Sequence, residues 1–117
     1  MSLGSRLGIV TRETELANVL VVTGRLCQGA KACDALREEV KVLLSRGDNK
    51  GLVINLQNAI YVDSFGLRVL VEVLKDTRQH GVGLKVVIER PRPGEYVNRT
   101  RVFEFFYSEA EALASLR

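Results

Sequence analysis

Histidine occurs once in this 117-residue chain, at His80, which leaves little scope for imidazole catalysis or for a histidine metal site. Cysteine occurs twice, at Cys27 and Cys33, and that spacing fits neither a CxxC redox pair nor a zinc knuckle. Cys33 falls on the apolar stripe of a helical pattern, so a buried thiol is expected, and with it a reducing, cytoplasmic setting. No apolar run approaches the roughly 18 residues that a membrane-spanning helix needs. The first six residues, Met1 to Arg6, have no apolar region long enough for a signal peptide and read as a flexible tail. The two prolines, Pro91 and Pro93, stand in one short segment, where neither can donate to a strand ladder. An excess of one charge is also missing. The formal net charge of +3 permits an anionic partner without demanding one.

What is present is the composition of an ordinary globule, 46% hydrophobic and 26% charged, in a length that suits one domain with a real core. That domain is expected over residues 7–117. Leu7 to Val10 and the β-rich Ala17 to Thr23, joined by a polar turn, read as a hairpin. Gly24 to Gly29 reads as a loop. In Ala30 to Arg46, Cys33, Leu36, Val40, Leu43 and Leu44 recur at steps of three and four, the mark of an amphipathic helix closed by Gly47. Gly51 to Leu56 is a nearly continuous apolar strand, so both of its faces are expected to be covered. Gln57-Asn58 reads as a polar turn. Ser64 to His80 is a second amphipathic helix, with Val69, Leu70, Val73 and Leu74 inward, Arg68, Glu72, Lys75 and Asp76 outward, and Gly81 as its stop. Leu84 to Glu89 is a further buried strand. Glu95 to Arg101 has room for one or two helical turns, and Val102 to Tyr107 is a last strand. Ser108 and Glu111 match a capping box that opens a final helix with Ala112, Leu113 and Leu116 inward. Alternating buried strands and amphipathic helices imply an α/β fold: a mixed, mostly parallel central sheet with about four helices.

Within that order, a buried strand delivers one hydroxyl, Ser64, to the start of a helix. A nucleophilic serine needs an adjacent base. His80 closes the same helix about four turns on, roughly 24 Å away at the usual rise, so the two cannot touch. The Gly-x-Ser-x-Gly elbow is absent, since Val62, Asp63, Phe65 and Gly66 surround the serine. Gly81-Val82-Gly83 precedes a strand, the wrong context for a phosphate-cradling loop. Arg90, Arg92, Arg99 and Arg101 make a basic stretch without aromatic interleaving, which suits an acidic protein surface better than direct nucleic-acid binding. No metal or cofactor set emerges. Ser64 can serve as a helix cap, but Asp63 alone could do that, and Gly66 thins the first turn so that another surface can approach. A phosphate on Ser64 would add about −1.5 to −2 charges where the free amides and dipole of a helix start tolerate them, changing binding and sparing the fold.

Val53-Ile54-Asn55-Leu56 followed by Val62-Asp63-Ser64-Phe65-Gly66-Leu67 resembles the signature of STAS domains, the fold of bacterial anti-sigma factor antagonists. Gly24 and Leu26 after the second strand, the helix count and the closing strand with its helix extend the similarity over nearly the whole chain. The resemblance implies a module without enzymatic activity that binds an anti-sigma factor, itself an ATP-dependent serine kinase. By the same resemblance, Ser64, directly after the aspartate, is the phosphorylated residue, and a phosphatase restores the unmodified form. The partner surface is then expected at Arg25, Asp63, Ser64, Phe65, Gly66 and Arg68. Two residues depart from the family pattern: Phe65 replaces a second hydroxyl, and Gly24-Arg25-Leu26-Cys27 replaces an element with two acids, which points to a different partner or weaker kinase recognition. An alternative use of the same fold is an accessory domain that binds a small ligand, or a transporter or lipid-transport subunit, with Ser64 never modified.

Overall fold

The computed structural model describes residues 8–26, 30–62, 64–89 and 103–117, with backbone alone at 25–26, 30–33, 60–62 and 64–67. Along these residues run β1 (Gly8–Glu13), β2 (Ala17–Leu26), α1 (Ala30–Ser45), β3 (Gly51–Val62), α2 (Ser64–Gln79), β4 (Leu84–Val87), β5 (Phe105–Phe106) and α3 (Glu109–Ala114). The strands form one sheet in chain order. β1 and β2 pair antiparallel, as a hairpin must, and the remaining neighbours pair parallel. Thr14 closes the hairpin: its backbone N–H and its hydroxyl both donate to the Ala17 carbonyl, each at 2.8 Å. The mixed, mostly parallel sheet is as expected. Three helices are present among the described residues rather than about four. The turns expected at Glu95 to Arg101 lie outside the described residues, as does the tail at 1–6.

The alternation of side chains along each strand divides the core in two. On one face Leu20, Val22, Leu52, Ile54 and Val86 pack with Leu36, Val40 and Leu43 of α1 and with Leu70 and Val73 of α2. On the other face Val19, Val53 and Val87 pack with Ala17 and with Ala112 of α3, and Leu113 and Leu116 close over them. The apolar run in β3 thus has its reason: consecutive residues Leu52, Val53 and Ile54 are all buried, on alternating sides. Gly47 and Gly81 stop α1 and α2 at φ of 65° and 69°, where a side chain would be strained. At α3 the Ser108 hydroxyl accepts from the Glu111 N–H at 3.1 Å.

Three expectations about strands are corrected. Gln57-Asn58 is not a turn: β3 continues through it to Val62. β2 likewise runs past Gly24 to Leu26, and the two extensions pair Thr23 with Asn58 and Gly24 with Ala59. Register shifts at Val21/Thr23 and Gly24/Arg25 absorb the mismatch, and Gly24 takes a φ of 82° there. β4 and β5 are shorter than their composition suggests, whereas β1 runs on past Val10 to Glu13, through residues that read as the hairpin turn. β4 ends at Val87 because β5 offers only Phe105 and Phe106 as partners. Phe103 is not a strand residue; it is buried in the core, its ring 6.0 Å from that of Phe105.

Candidate functional site

The carboxyl ends of β2 and β3 and the start of α2 converge at one edge of the sheet. β3 ends at Val62 and α2 begins at Ser64, so a single residue, Asp63, separates strand from helix. The serine is therefore the first helical residue, at the end of the helix whose backbone N–H groups lack intrahelical partners. Beside it, the last pairs of the parallel ladder are Arg25 with Tyr61 and Leu26 with Val62. Open α/β sheets place their functional sites outside the carboxyl ends of strands, and this edge is such a place.

The expected site residues fall as follows. Ser64, Phe65 and Gly66 form the first turn of α2, where the backbone is described. Arg68 is exposed one turn further along, at the i+4 spacing that puts it on the same helix face as Ser64. Arg25 ends up at the same edge because β2 extends to Leu26 rather than dissolving into a loop after Thr23. Asp63 and Cys27 lie outside the described residues, and so does the arginine-rich stretch from Arg90 to Arg101. The side chain of Cys33, expected in the core, is outside them as well.

His80 follows the last residue of α2, at the far end of the helix from Ser64. Its Nδ1 donates to the Asp76 carbonyl at 2.9 Å. The sixteen-residue length of α2 separates His80 from Ser64, so no base from this histidine serves Ser64. Among the described residues no group of three or more histidine, cysteine or acidic side chains could hold a metal ion. No described helix is long and apolar enough to cross a membrane.

What holds this edge in place is partly polar, and sequence reasoning missed it. Asn55 interrupts the apolar run of β3 on the α3 face and is only 5% exposed. Its Nδ2 donates to Glu109 Oε2 at 2.6 Å, and its Oδ1 accepts from the Gln57 N–H at 2.9 Å. Gln57 in turn donates from Nε2 to the Tyr107 carbonyl at 2.8 Å, and Arg12 pairs with Glu109. β3 is thereby tied to the start of α3 and to β1 just before it carries on to Ser64. The available signal was the asparagine itself, since a polar residue in a buried strand requires a partner. On the other face, the Arg37 guanidinium of α1 donates to Asp76 at 3.3 Å and faces Glu72 at 3.7 Å, both on α2. The hydrogen bond that Arg37 donates to Asp76, with the charge of that carboxylate, holds Arg37 above its ordinary pKa.

The family model described as STAS domain matches residues 9–113. No curated protein sequence matches the chain. Among solved structures, the chain is similar to an anti-sigma factor antagonist from Mycobacterium paratuberculosis, with a TM-score of 0.80 at 20% identity over 100% of this chain and 99% of that one. It is also similar to a serine-to-glutamate variant of RsbS from Moorella thermoacetica, with a TM-score of 0.67 at 21% identity over 96% and 95% of the two chains. A third is the phosphorylated form of the Bacillus cell fate determinant SpoIIAA, with a TM-score of 0.63 at 16% identity over 94% and 100%. At these identities the likeness is one of fold.

Proposed function

Because the chain belongs to the STAS domain family, we propose that it works as an anti-sigma factor antagonist: a binding module that engages an anti-sigma factor with serine kinase activity and is switched by phosphorylation of Ser64. The observation that carries this reading is the placement of Ser64 as the first residue of α2, one residue beyond β3 and beside the end of β2. A residue there stands where a strand hands over to a helix, and the free amides of the helix start accept the charge a phosphate would bring. The likeness to an antagonist over the full length of both chains supports the same reading. So does the likeness to a protein that exists in a phosphorylated form.

In this mechanism the kinase transfers the γ-phosphoryl group of ATP to the Ser64 oxygen, which loses its proton, and ADP departs. The new dianion would stand among the residues we assign to partner docking: Arg25, Asp63, Ser64, Phe65, Gly66 and Arg68. A partner surface that fitted the neutral hydroxyl must now desolvate about −1.5 to −2 charges, so the complex dissociates. A phosphatase hydrolyses the ester and resets the module. The chain performs no chemistry of its own in this cycle, which runs in the cytoplasm.

The test is incubation with candidate anti-sigma factor serine kinases and ATP, followed by peptide mass spectrometry. Phosphate at Ser64, abolished by Ser64→Ala, is the expected result. Phosphate elsewhere, or none on the wild-type chain, sinks the switch. A small molecule retained through purification and seen by native mass spectrometry would favour a ligand-binding accessory domain instead.

A further inference from the structure

α2 separates its charges into two lines. From the position of Ser64, steps of four and three residues pass through Arg68, Val71, Lys75 and Arg78, which follow one another down one side of the helix. Arg68, Lys75 and Arg78 are exposed, and Val71 is half-buried among them, packed against the core. No acid stands on this line. The two acids of α2, Glu72 and Asp76, lie on the flank toward α1, where Arg37 faces both. The Asp76 side chain is only 16% exposed there, so its charge is answered within the fold. The cations are not answered in the same way. Arg68 and Arg78 have no ion pair among the described residues, and Lys75 meets only Glu72, at 3.9 Å. Arg12, Lys50 and Lys85, by contrast, each have a carboxylate partner.

Three cations on one side of a helix, spread over roughly 15 Å at the usual rise, attract an anionic surface. Their flank says which kind. A membrane or a nucleic acid presents charge continuously, and Glu72, 36% exposed beside Lys75, would lie under it. Val71 is also a single apolar side chain, too little to anchor a helix in a bilayer. Discrete carboxylates on a protein meet the cations one by one and leave Glu72 clear. An acidic helix does this with the fewest demands. Its glutamates, repeated at steps of three and four, form a line with the same rise as the cations, and a small apolar residue between them meets Val71.

We propose that this side of α2 seats an acidic helix of a protein partner, with Arg68, Lys75 and Arg78 as its cations and Val71 as its apolar contact. The proposal rests on the reading of the chain as a partner-binding module and names the chemistry of the partner. Because the line begins at Ser64, a phosphate there would put negative charge at the head of an otherwise cationic seat, against an acidic occupant.

The experiment is a titration of the ¹⁵N-labelled full chain with a synthetic helical peptide that carries glutamates at steps of three and four, followed by ¹H–¹⁵N correlation spectra at low and physiological salt. Saturable shifts are expected at the backbone amides of Arg68, Val71, Lys75 and Arg78, with weaker binding at the higher salt. The same peptide with lysine in place of glutamate should produce none. Lys75→Gln combined with Arg78→Gln changes two exposed residues and should weaken binding by about fivefold, as expected for the loss of two surface ion pairs. Lys41→Gln, exposed on α1, should leave it unchanged, and thermal melts show that both variants are folded. Shifts centred elsewhere on the chain, an absence of saturation, or unaltered affinity in the double variant would each overturn the proposal. So would tighter binding of the chain to phosphatidylglycerol vesicles through the same two residues. No kinase and no phosphate enter the titration, so its failure and that of the Ser64 switch are told apart.

Discussion

Asn55 shows how much a single polar side chain decides here. It satisfies the Glu109 carboxylate and the Gln57 amide at once, in a position almost closed to solvent. Asn55→Leu leaves both partners without it, and the expected loss is about 1–3 kcal/mol in urea unfolding. A loss below about 0.5 kcal/mol would mean that water replaces the amide. Asp48 carries a pH dependence of definite sign. Its folded-state pKa lies below the ordinary 3.8, so its stabilising contribution is complete above that value and disappears as pH falls through the depressed one. Thermal melts at a series of acid pH values should therefore show a flatter decline below about pH 4 in Asp48→Asn than in the wild type. Equal slopes would show that the carboxyl is not favoured by folding. Ser64 makes the opposite demand, a change of charge with no change of stability. Ser64→Asp should melt within a few degrees of the wild type, since an acid in the first turn of a helix is favourable by about 0.3–1 kcal/mol. If the proposed switch operates, it should nonetheless lose the anti-sigma factor in a pull-down. A collapsed melting temperature would mark Ser64 as purely structural.

At the scale of elements, α1 separates packing from charge. Leu36 is fully buried between the helices and the sheet, whereas Val42 on the same helix is 51% exposed. Leu36→Ala should cost about 2–5 kcal/mol, and Val42→Ala less than about 0.5 kcal/mol, by denaturant midpoint. The Arg37 clasp onto Asp76 and Glu72 is visible but modest. Its side chain is 37% exposed, so Arg37→Ala should move the denaturant midpoint only slightly, and less in high salt. The short α3 depends on its cap. Removing the Ser108 hydroxyl leaves the Glu111 N–H unsatisfied, and Ser108→Ala should cost about 1 kcal/mol.

For the whole molecule, β2, β3 and β4 contribute buried residues to both core clusters, so neither layer of helices has a sheet of its own. The two faces should accordingly unfold together, with far-UV circular dichroism and amide exchange reporting one transition. Early, separate loss of α3 would show that the Asn55–Glu109 contact does not couple the layers. The same sheet sets its two ends apart, with the Ser64 edge at the carboxyl ends of β2 and β3 and a cavity lined by Asn18 and Asp48 at their amino ends.

The strand and helix order was legible from the sequence because it follows from hydrophobic period. Leu36, Val40 and Leu43 repeat as a helix repeats, and Leu52 to Ile54 run as a doubly covered strand runs. Glycine marked the ends of α1 and α2 for the same local reason, a backbone conformation that other residues resist. The lone serine at a strand-to-helix junction was equally local. The continuation of β2 and β3 past Gly24 and Gln57 was not legible, because polar residues read as a turn until a neighbouring strand and Tyr107 supply their partners. Nor was the position of Arg25 beside the Ser64 edge, which depends on two register shifts between strands far apart in sequence. The unpaired Asn18 oxygen belongs to the same class. Local pattern determines which segments are strands and helices; long-range pairing alone decides which polar atoms meet, and which are left without a protein partner.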